Sequence, residues 1–275
     1  MLSSELRDID YERISRLVYE QCGINLHEGK RELVKARLGK RLREGNFKSF
    51  GDYYSYVTTE EGTDELISMI DSLSTNLTYF FREESHFQKI RQIIPILLNA
   101  PAHAGQSEKL RIWSAGCSTG EEPYSLAMTI CECANGSCNG VKIIATDIST
   151  RVLQMAVKGV FTQDKLKNVT SAMLKKYFQM GSGRWEGHYR IKKDIIKMIQ
   201  FSRFNLMDTP PSSYRFDIIF CRNVMIYFDK VTQAALVNRF YQCLNKGGHL
   251  FIGHSESLTG LSHEFKYIEP SVYRK

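Results

Sequence analysis

No stretch of the 275 residues approaches the roughly eighteen uninterrupted apolar residues of a membrane helix, so no span is expected. The opening MLSSELRDIDYE lacks the pattern of a secretory leader. Cysteine is sparse and odd in number, seven residues scattered through apolar segments, which suggests a reduced cytosolic protein rather than a disulfide scaffold. The run CECANGSC (Cys131, Cys133, Cys138) has no second pair or nearby histidine to complete a tetrahedron, and no metal is expected there. There is no internal repeat, and no strand-like alternation in the first eighty residues. Also missing is the GxGxxG spacing by which backbone amides and a helix N-terminus hold a dinucleotide pyrophosphate.

What is present divides the chain by pattern. Its length allows one large domain or two modest ones. Residues 1–80 read as helices: ISRLVYEQCGI ending near Gly23, KRELVKARLGKRLREG closed by Gly45, then FGDYYSYV and ELISMIDSLST. Residues 81–108 read as a linker: SHFQKIRQIIPILLNA as a helix kinked or ended at Pro95, then a polar loop. From 109 to 275, short continuous apolar runs alternate with helical ones, as in a parallel sheet covered on both faces. LRIWSA, VKIIATD, MIQFSRFNL, FDIIFCRN and HLFIGHS are the expected strands. KVTQAALVNRFYQCLN is a helix expected to be capped at Gly247–Gly248, and EFKYIEPSVYRK an edge hairpin. Residues of about 160–200 read as a small β insertion.

The overall charge is +7 and unevenly placed. Between Lys30 and Lys48 the local balance is +6, against −8 for the other residues of the first hundred. A concentrated basic patch of this kind calls for an anionic partner: nucleic acid, a membrane surface or an acidic protein. Lys30, Arg37 and Arg41 fall on one helical stripe beside the apolar stripe of Val34, Leu38 and Leu42.

Ligands of open α/β sheets bind at the carboxyl ends of strands, which directs attention to the first turn, AGCSTGEEP. Two carboxylates, Glu121 and Glu122, occupy the helix's first turn. Each would repel a phosphate by about 4 kcal/mol per unit-charge pair at 4 Å and an effective dielectric near 20. Glutamate there also complements the helix dipole, a structural role that suits Glu121 at least as well. The ligand the turn permits is nucleoside-like, free of phosphate and positively charged, which S-adenosylmethionine satisfies. Asp147 ends the second strand, 27 residues beyond Gly120, where an acid can accept hydrogen bonds from a ribose diol or cap the helix that begins at Ser149. Asn205, ending the third strand, can read an adenine edge through its amide or simply form a turn.

With STNLTYFFRE, WSAGCSTGEEPYS, FCRNVMIYFDK and GHSES together, nearly the whole chain resembles the chemotaxis receptor methyltransferases, the CheR-type enzymes. The resemblance implies a Rossmann-like S-adenosylmethionine-dependent methyltransferase sheet with a small β-subdomain insertion, preceded by an all-α N-terminal domain. It places cofactor contacts on Asn76, Thr78, Arg82, Glu122, Asp147, Asn205, Leu206, Arg222 and Asn223. Arg82 offers a planar fork for the methionyl carboxylate, and Glu122 suits the ammonium. Tyr227 resembles the family tyrosine beside the transferring methyl, and Arg222 and Tyr227 are the candidates for orienting the incoming carboxylate. Arg37, Lys40 and Arg41 are expected to face acidic receptor helices. In some members the insertion docks a receptor's C-terminal peptide; here Met180 stands where a relative has a basic residue.

The implied reaction is methyl transfer to a receptor glutamate, giving a γ-methyl ester and S-adenosylhomocysteine. A carboxylate acceptor is already ionised at neutral pH and needs no general base. The resemblance further implies a cytoplasmic monomer recruited to membrane receptor arrays, with no membrane insertion and no nucleic-acid partner. Two other readings stand beside it. One is a methyltransferase acting on RNA or another target, disfavoured because CRNVMIYF replaces the Asn/Asp-Pro-Pro-aromatic motif of amino-nitrogen methylation. The other is a non-catalytic, cofactor-sensing adaptor.

Overall fold

The computed structural model describes residues 5–100, 108–134 and 138–275. Four amphipathic helices come first: α1 (Asp8–Cys22), α2 (Arg31–Glu44), α3 (Phe50–Val57) and α4 (Thr63–Leu73). Their apolar stripes, including Ile14, Val18, Val34, Leu38, Leu42, Tyr53 and Met69, close on one core. Gly23 ends α1 at φ 72°, a left-handed position where its N–H bonds Tyr19 O and where a Cβ would come within 2.5 Å of Met207 Sδ. Helix α5 (Glu84–Asn99) continues past Pro95, so of the two expectations for that proline, a kink or an end, the end does not hold. Proline forfeits one intrahelical bond. Burial of Phe87, Ile90, Ile93 and Ile94 in the core shared with the following helix holds the segment helical to Asn99.

The rest of the chain forms β1 (Leu110–Ala115), α6 (Glu121–Cys133), β2 (Val141–Asp147), α7 (Thr150–Lys158), β3 (Val160–Thr162), α8 (Ser171–Tyr177), β4 (Phe178–Met180), β5 (His188–Ile191) and α9 (Lys193–Ile196). It continues as β6 (Ile199–Arg203), β7 (Phe216–Cys221), α10 (Lys230–Cys243), β8 (Leu244–Ile252), β9 (Lys266–Glu269) and β10 (Val272–Arg274). The main sheet has the order β6-β2-β1-β7-β8-β10-β9, parallel through its first five strands and antiparallel in the closing hairpin. Strand order therefore reverses between β1 and β7, and the crevice at their carboxyl ends is where such a sheet binds ligands. Successive residues of β1 feed opposite faces: Ile112 joins one apolar cluster and Trp113 the other, with the indole N–H bonded to Thr146 Oγ1 at 2.9 Å. A second sheet, β3-β5-β4, is the antiparallel insertion.

Two local expectations are corrected. Helix α10 is not capped by Gly247–Gly248, because β8 begins at once at Leu244. Gly247, at φ 81°, instead sits where the β7–β8 register shifts, and the glycine pair exchanges backbone bonds with Lys275. The cysteines are not all reduced: Cys131 and Cys138 are joined, with Cα atoms 5.6 Å apart, while Cys22, Cys117, Cys133, Cys221 and Cys243 are free. Most of the polar stretch after Asn99 lies outside the described residues. Among the described residues, no helix is long and apolar enough to cross a membrane.

The helical domain is tied to the sheet's carboxyl edge. Asp71 Oδ2 accepts from Thr150 Oγ1 and Arg151 N at the start of α7, Tyr19 donates to Asp229, and Asn25 N donates to Tyr227 O. These contacts make the helices one wall of the crevice.

Candidate functional site

The β1–α6 turn is compact because Gly116, Ser118 and Gly120 all adopt positive φ. A Cβ on Gly116 would lie 2.5 Å from Val224 Cγ2, so glycine there lets the β1 turn approach the loop after β7. Between these loops and the helical domain lies a cleft that is partly open to solvent and lined by residues of both. The resemblance's cofactor positions, Asn76, Thr78, Arg82, Glu122, Asp147, Asn205, Leu206, Arg222 and Asn223, all line it, and so does Tyr227.

The two turn glutamates part company. Glu121 is buried, accepts from Thr119 Oγ1 at 2.6 Å and does not line the cleft, so its role is structural. Glu122 does line it. Its Oε1 accepts from Ser114 Oγ at 2.7 Å, and its Oε2 lies 3.0 Å from Arg222 Nε. That second contact is electrostatic rather than a directed hydrogen bond, since the Nε–H has no well-aligned acceptor. Burial raises the Glu122 carboxyl above the usual 4.5, and Arg222 works against the rise. Asp147 is also raised by burial, although the N–H groups of Ser149 and Ser118 each donate to one of its oxygens, at 3.0 and 2.8 Å. Those two donors aim the carboxylate, whose remaining lone pairs stay available to hydroxyls. The capping of α7 falls instead to Ser149, whose hydroxyl accepts from Val152 N.

Arg222 is not placed as expected for a group that orients an incoming carboxylate. Its side chain is 2% exposed, donates to Arg82 O at 2.6 Å, meets His86 Nδ1 at 3.2 Å and stacks over Phe87 and Phe220. A guanidinium so enclosed is a fixed strut for Glu122 and the Arg82 backbone. Asn205 is likewise committed, its amide donating to Gln21 O at 2.7 Å and accepting from Met207 N. It therefore joins the two domains at the cleft edge instead of offering a free amide to an adenine. Arg82 gives one N–H to Leu77 O and keeps the rest of its fork over the Tyr79 ring. Ser118 Oγ donates to Asn76 O, and Tyr227 has Lys30 Nζ 5.2 Å from its ring centre.

The basic helix is also rearranged from expectation. Arg37 donates to Leu73 O and Ser74 O at 2.8 and 2.9 Å, capping the end of α4. Arg41 grips Glu65 with two N–H groups. Both arginines are spent inside their own domain. Lys40, with its side chain 72% exposed and only a 3.8 Å approach to Glu44, and exposed Arg43 are the cations turned outward.

Sequence reasoning passed over several groups. Glu256, inside the quoted GHSES run, accepts from the N–H groups of Asn223, Ile226 and Gly253, and so shapes the 222–227 loop. Glu83 accepts from Asn223 Nδ2 and His254 N. His86, held neutral by burial and by Arg222 with its pKa lowered to about 3, fills the space behind. Glu83, His86 and His254 bring three potential ligand atoms within 4.8 Å of one another. Arg222 already donates into that cluster, and a buried guanidinium beside it would repel a divalent cation.

The cleft offers acceptors for a positively charged group beside cations that can meet an anionic one. Asn223 Oδ1 is buried without a partner among the described residues, and Asn223 lines the cleft as Glu122 does, so a ligand ammonium is a donor that could satisfy it. Asp147 is an aimed acceptor for a diol, and the walls of Ile148, Phe204 and Leu206 are apolar enough to pack a base. Residues 76–274 match the family model described as CheR methyltransferase, SAM binding domain, and residues 9–74 match CheR methyltransferase, all-alpha domain. A chemotaxis protein methyltransferase of Borreliella burgdorferi is 42% identical over 267 residues, covering 96% of this chain and 93% of that one. One of Escherichia coli is 40% identical over 272 residues, covering 98% and 91%. A cleft with unmet acceptors for a positive nucleoside is what such a domain requires, and the chain belongs to the CheR family of S-adenosylmethionine-dependent methyltransferases.

Proposed function

We propose that this chain converts glutamate side chains of chemotaxis receptors to methyl esters. The observation that carries the reading is a cleft with aimed acceptors at Glu122 and Asp147 whose outer wall is a helical domain bearing outward cations on α2. S-adenosylmethionine, when bound, supplies a methyl group on a positively charged sulfur. Glu122 and Asn223 hold the ammonium, Asp147 the ribose hydroxyls, and the free part of the Arg82 fork the carboxylate. Asn76 and Thr78 close the rim, and Leu206 packs the base beside Asn205. An acceptor carboxylate oxygen forms the new C–O bond as the S–CH₃ bond breaks; the sulfonium and carboxylate charges cancel, and no proton moves. The residues' contribution is alignment and exclusion of water. Incubation with tritiated cofactor and a cytoplasmic receptor fragment should give alkali-labile methanol. Stable label, or label on RNA instead, would overturn the reading.

Lys40 and Arg43 replace Arg37 and Arg41 as the cations that steer an acidic receptor surface. Changing both to Glu should lower kcat/KM several-fold at low ionic strength and remove much of its salt dependence, since screening sets in at about 8 Å under physiological conditions. An unchanged kcat/KM at low salt would mean that receptor recognition lies elsewhere. The insertion adds a second docking element: β3 and β4 are its edges among the described residues, and an extended receptor tail could pair with either. Met180, 70% exposed on β4, offers such a tail an apolar contact in place of a charge.

The raised Glu122 carboxyl gives a signed prediction. Above the ordinary carboxylate range the ligand-free protein still holds a proton on Glu122, which an ammonium displaces, so cofactor affinity should rise with pH as that proton is lost. Calorimetry in buffers of different ionisation enthalpy should detect proton release in wild type and much less in Glu122→Gln. A flat pH profile in wild type would refute the ammonium–Glu122 pairing.

A further inference from the structure

We infer that Lys30 is the residue that receives and positions the acceptor carboxylate, an assignment that rests on the glutamate-methylation reading above. Among the described residues, three cationic side chains line the cleft: Lys30, Arg82 and Arg222. Arg222 is locked among Glu122, His86 and Arg82 O. Arg82 is spent in part on Leu77 O, at the end of the cleft where the cofactor's carboxylate is assigned. Lys30 differs from both. Its ammonium meets no carboxylate among the described residues, and its one described side-chain contact is with the Tyr227 ring, 5.2 Å away. Burial alone lowers its pKa, with no neighbouring charge acting on it.

Placement supports the assignment. Lys30 closes the short 3-10 turn Glu28–Lys30 that leads directly into α2, the helix whose far end carries Lys40 and Arg43. The turn is anchored, since Tyr11 donates to His27 O and Lys30 N bonds the same carbonyl. Opposite it, Tyr227 is held by Asn25 N on its own carbonyl. A receptor helix drawn in along α2 would thus present a glutamate to a half-buried ammonium that stands beside Tyr227 and lacks a counter-charge. A carboxylate entering the cleft loses hydration, and a pre-placed cation offsets that loss while fixing one oxygen. The second oxygen is left free for the displacement.

The test is Lys30→Met, with Lys30→Arg as the conservative partner, assayed on a receptor fragment under saturating cofactor. Lys30→Met should keep the wild-type melting temperature and bind S-adenosylmethionine within twofold of wild type. Its kcat at saturating receptor should fall roughly ten- to a hundred-fold, the range expected for loss of one charge-assisted hydrogen bond. Lys30→Arg should restore a substantial part of that loss. Three results would overturn the proposal. An unchanged kcat with a raised, salt-sensitive KM would make Lys30 one more steering cation. Weakened cofactor binding of tenfold or more would make it a cofactor contact. Equal loss in Lys30→Arg and Lys30→Met would make its role one of fit. If wild type itself fails to label the fragment, it is the receptor reading that falls, and the two failures are told apart by that control.

Discussion

Replacing Arg222 with methionine is expected to destabilise the protein by about 3–5 kcal/mol, the usual range when one member of a buried ion pair is removed. The variant would leave Glu122 beside Ser114 with its charge uncompensated, and would strip the Arg82 carbonyl and His86 of their shared donor. Glu122 should then take up a proton at higher pH than in wild type, and cofactor affinity at pH 7 should fall with it. Urea unfolding at pH 7 measures the first effect and calorimetry the second. The double variant Arg222→Met, Glu122→Gln removes both charges and should recover part of the stability, although not the affinity. If the single variant unfolds within 1 kcal/mol of wild type, Arg222 is not the strut its surroundings imply.

Glu256→Ala should be nearly as damaging, for a different reason. One carboxylate satisfies three backbone N–H groups, those of Asn223, Ile226 and Gly253, at the point where Asn223 adopts φ 59°. A buried donor left without an acceptor costs about 1–3 kcal/mol, so even partial rehydration leaves an expected loss of about 3 kcal/mol. Turnover should drop further than stability suggests, because the same loop carries Asn223 and Tyr227. Glu256→Gln, which keeps one acceptor oxygen, should fall between. Backbone amide shifts confined to residues 222–228, together with the urea midpoint, would establish the effect. Shifts spread evenly through the sheet would count against a local role.

The parallel sheet was readable from sequence because its strands are short continuous apolar runs, bounded by turns and separated by helical spacing. Elements misread were those in which one local pattern serves two structures. Gly247–Gly248 looks the same whether it caps a helix or relaxes a strand register, and only the pairing of β7 with β8 decides. Pro95 is tolerated because burial of its neighbours outweighs one lost bond. The cleft positions were legible through the family motifs, and Glu122 and Asp147 through charge alone. Arg37, Arg41 and Arg222 were legible as residues and not as contacts, since Leu73 O, Glu65 and Glu122 approach from segments distant in the chain. Lys30 was legible as a member of the basic stripe, but not its place beside Tyr227, which comes from a segment distant in the chain.

The cleft is walled by both domains, with Leu26, Lys30 and Leu73 on one side and Asp147, Phe204 and Asn223 on the other. A ligand seated there bridges them, so occupancy is expected to work as a reversible staple across the seam. At a concentration a hundredfold above its Kd, a ligand of the folded state adds about 2.7 kcal/mol to stability, and here that increment would hold the seam shut. The coupling runs both ways. A receptor helix that presses the helical domain against the sheet must tighten cofactor binding by the same factor by which the cofactor tightens receptor binding, and one that pries the seam open must loosen both. Supply of methyl donor and engagement of receptor would then be read by this enzyme as a single quantity.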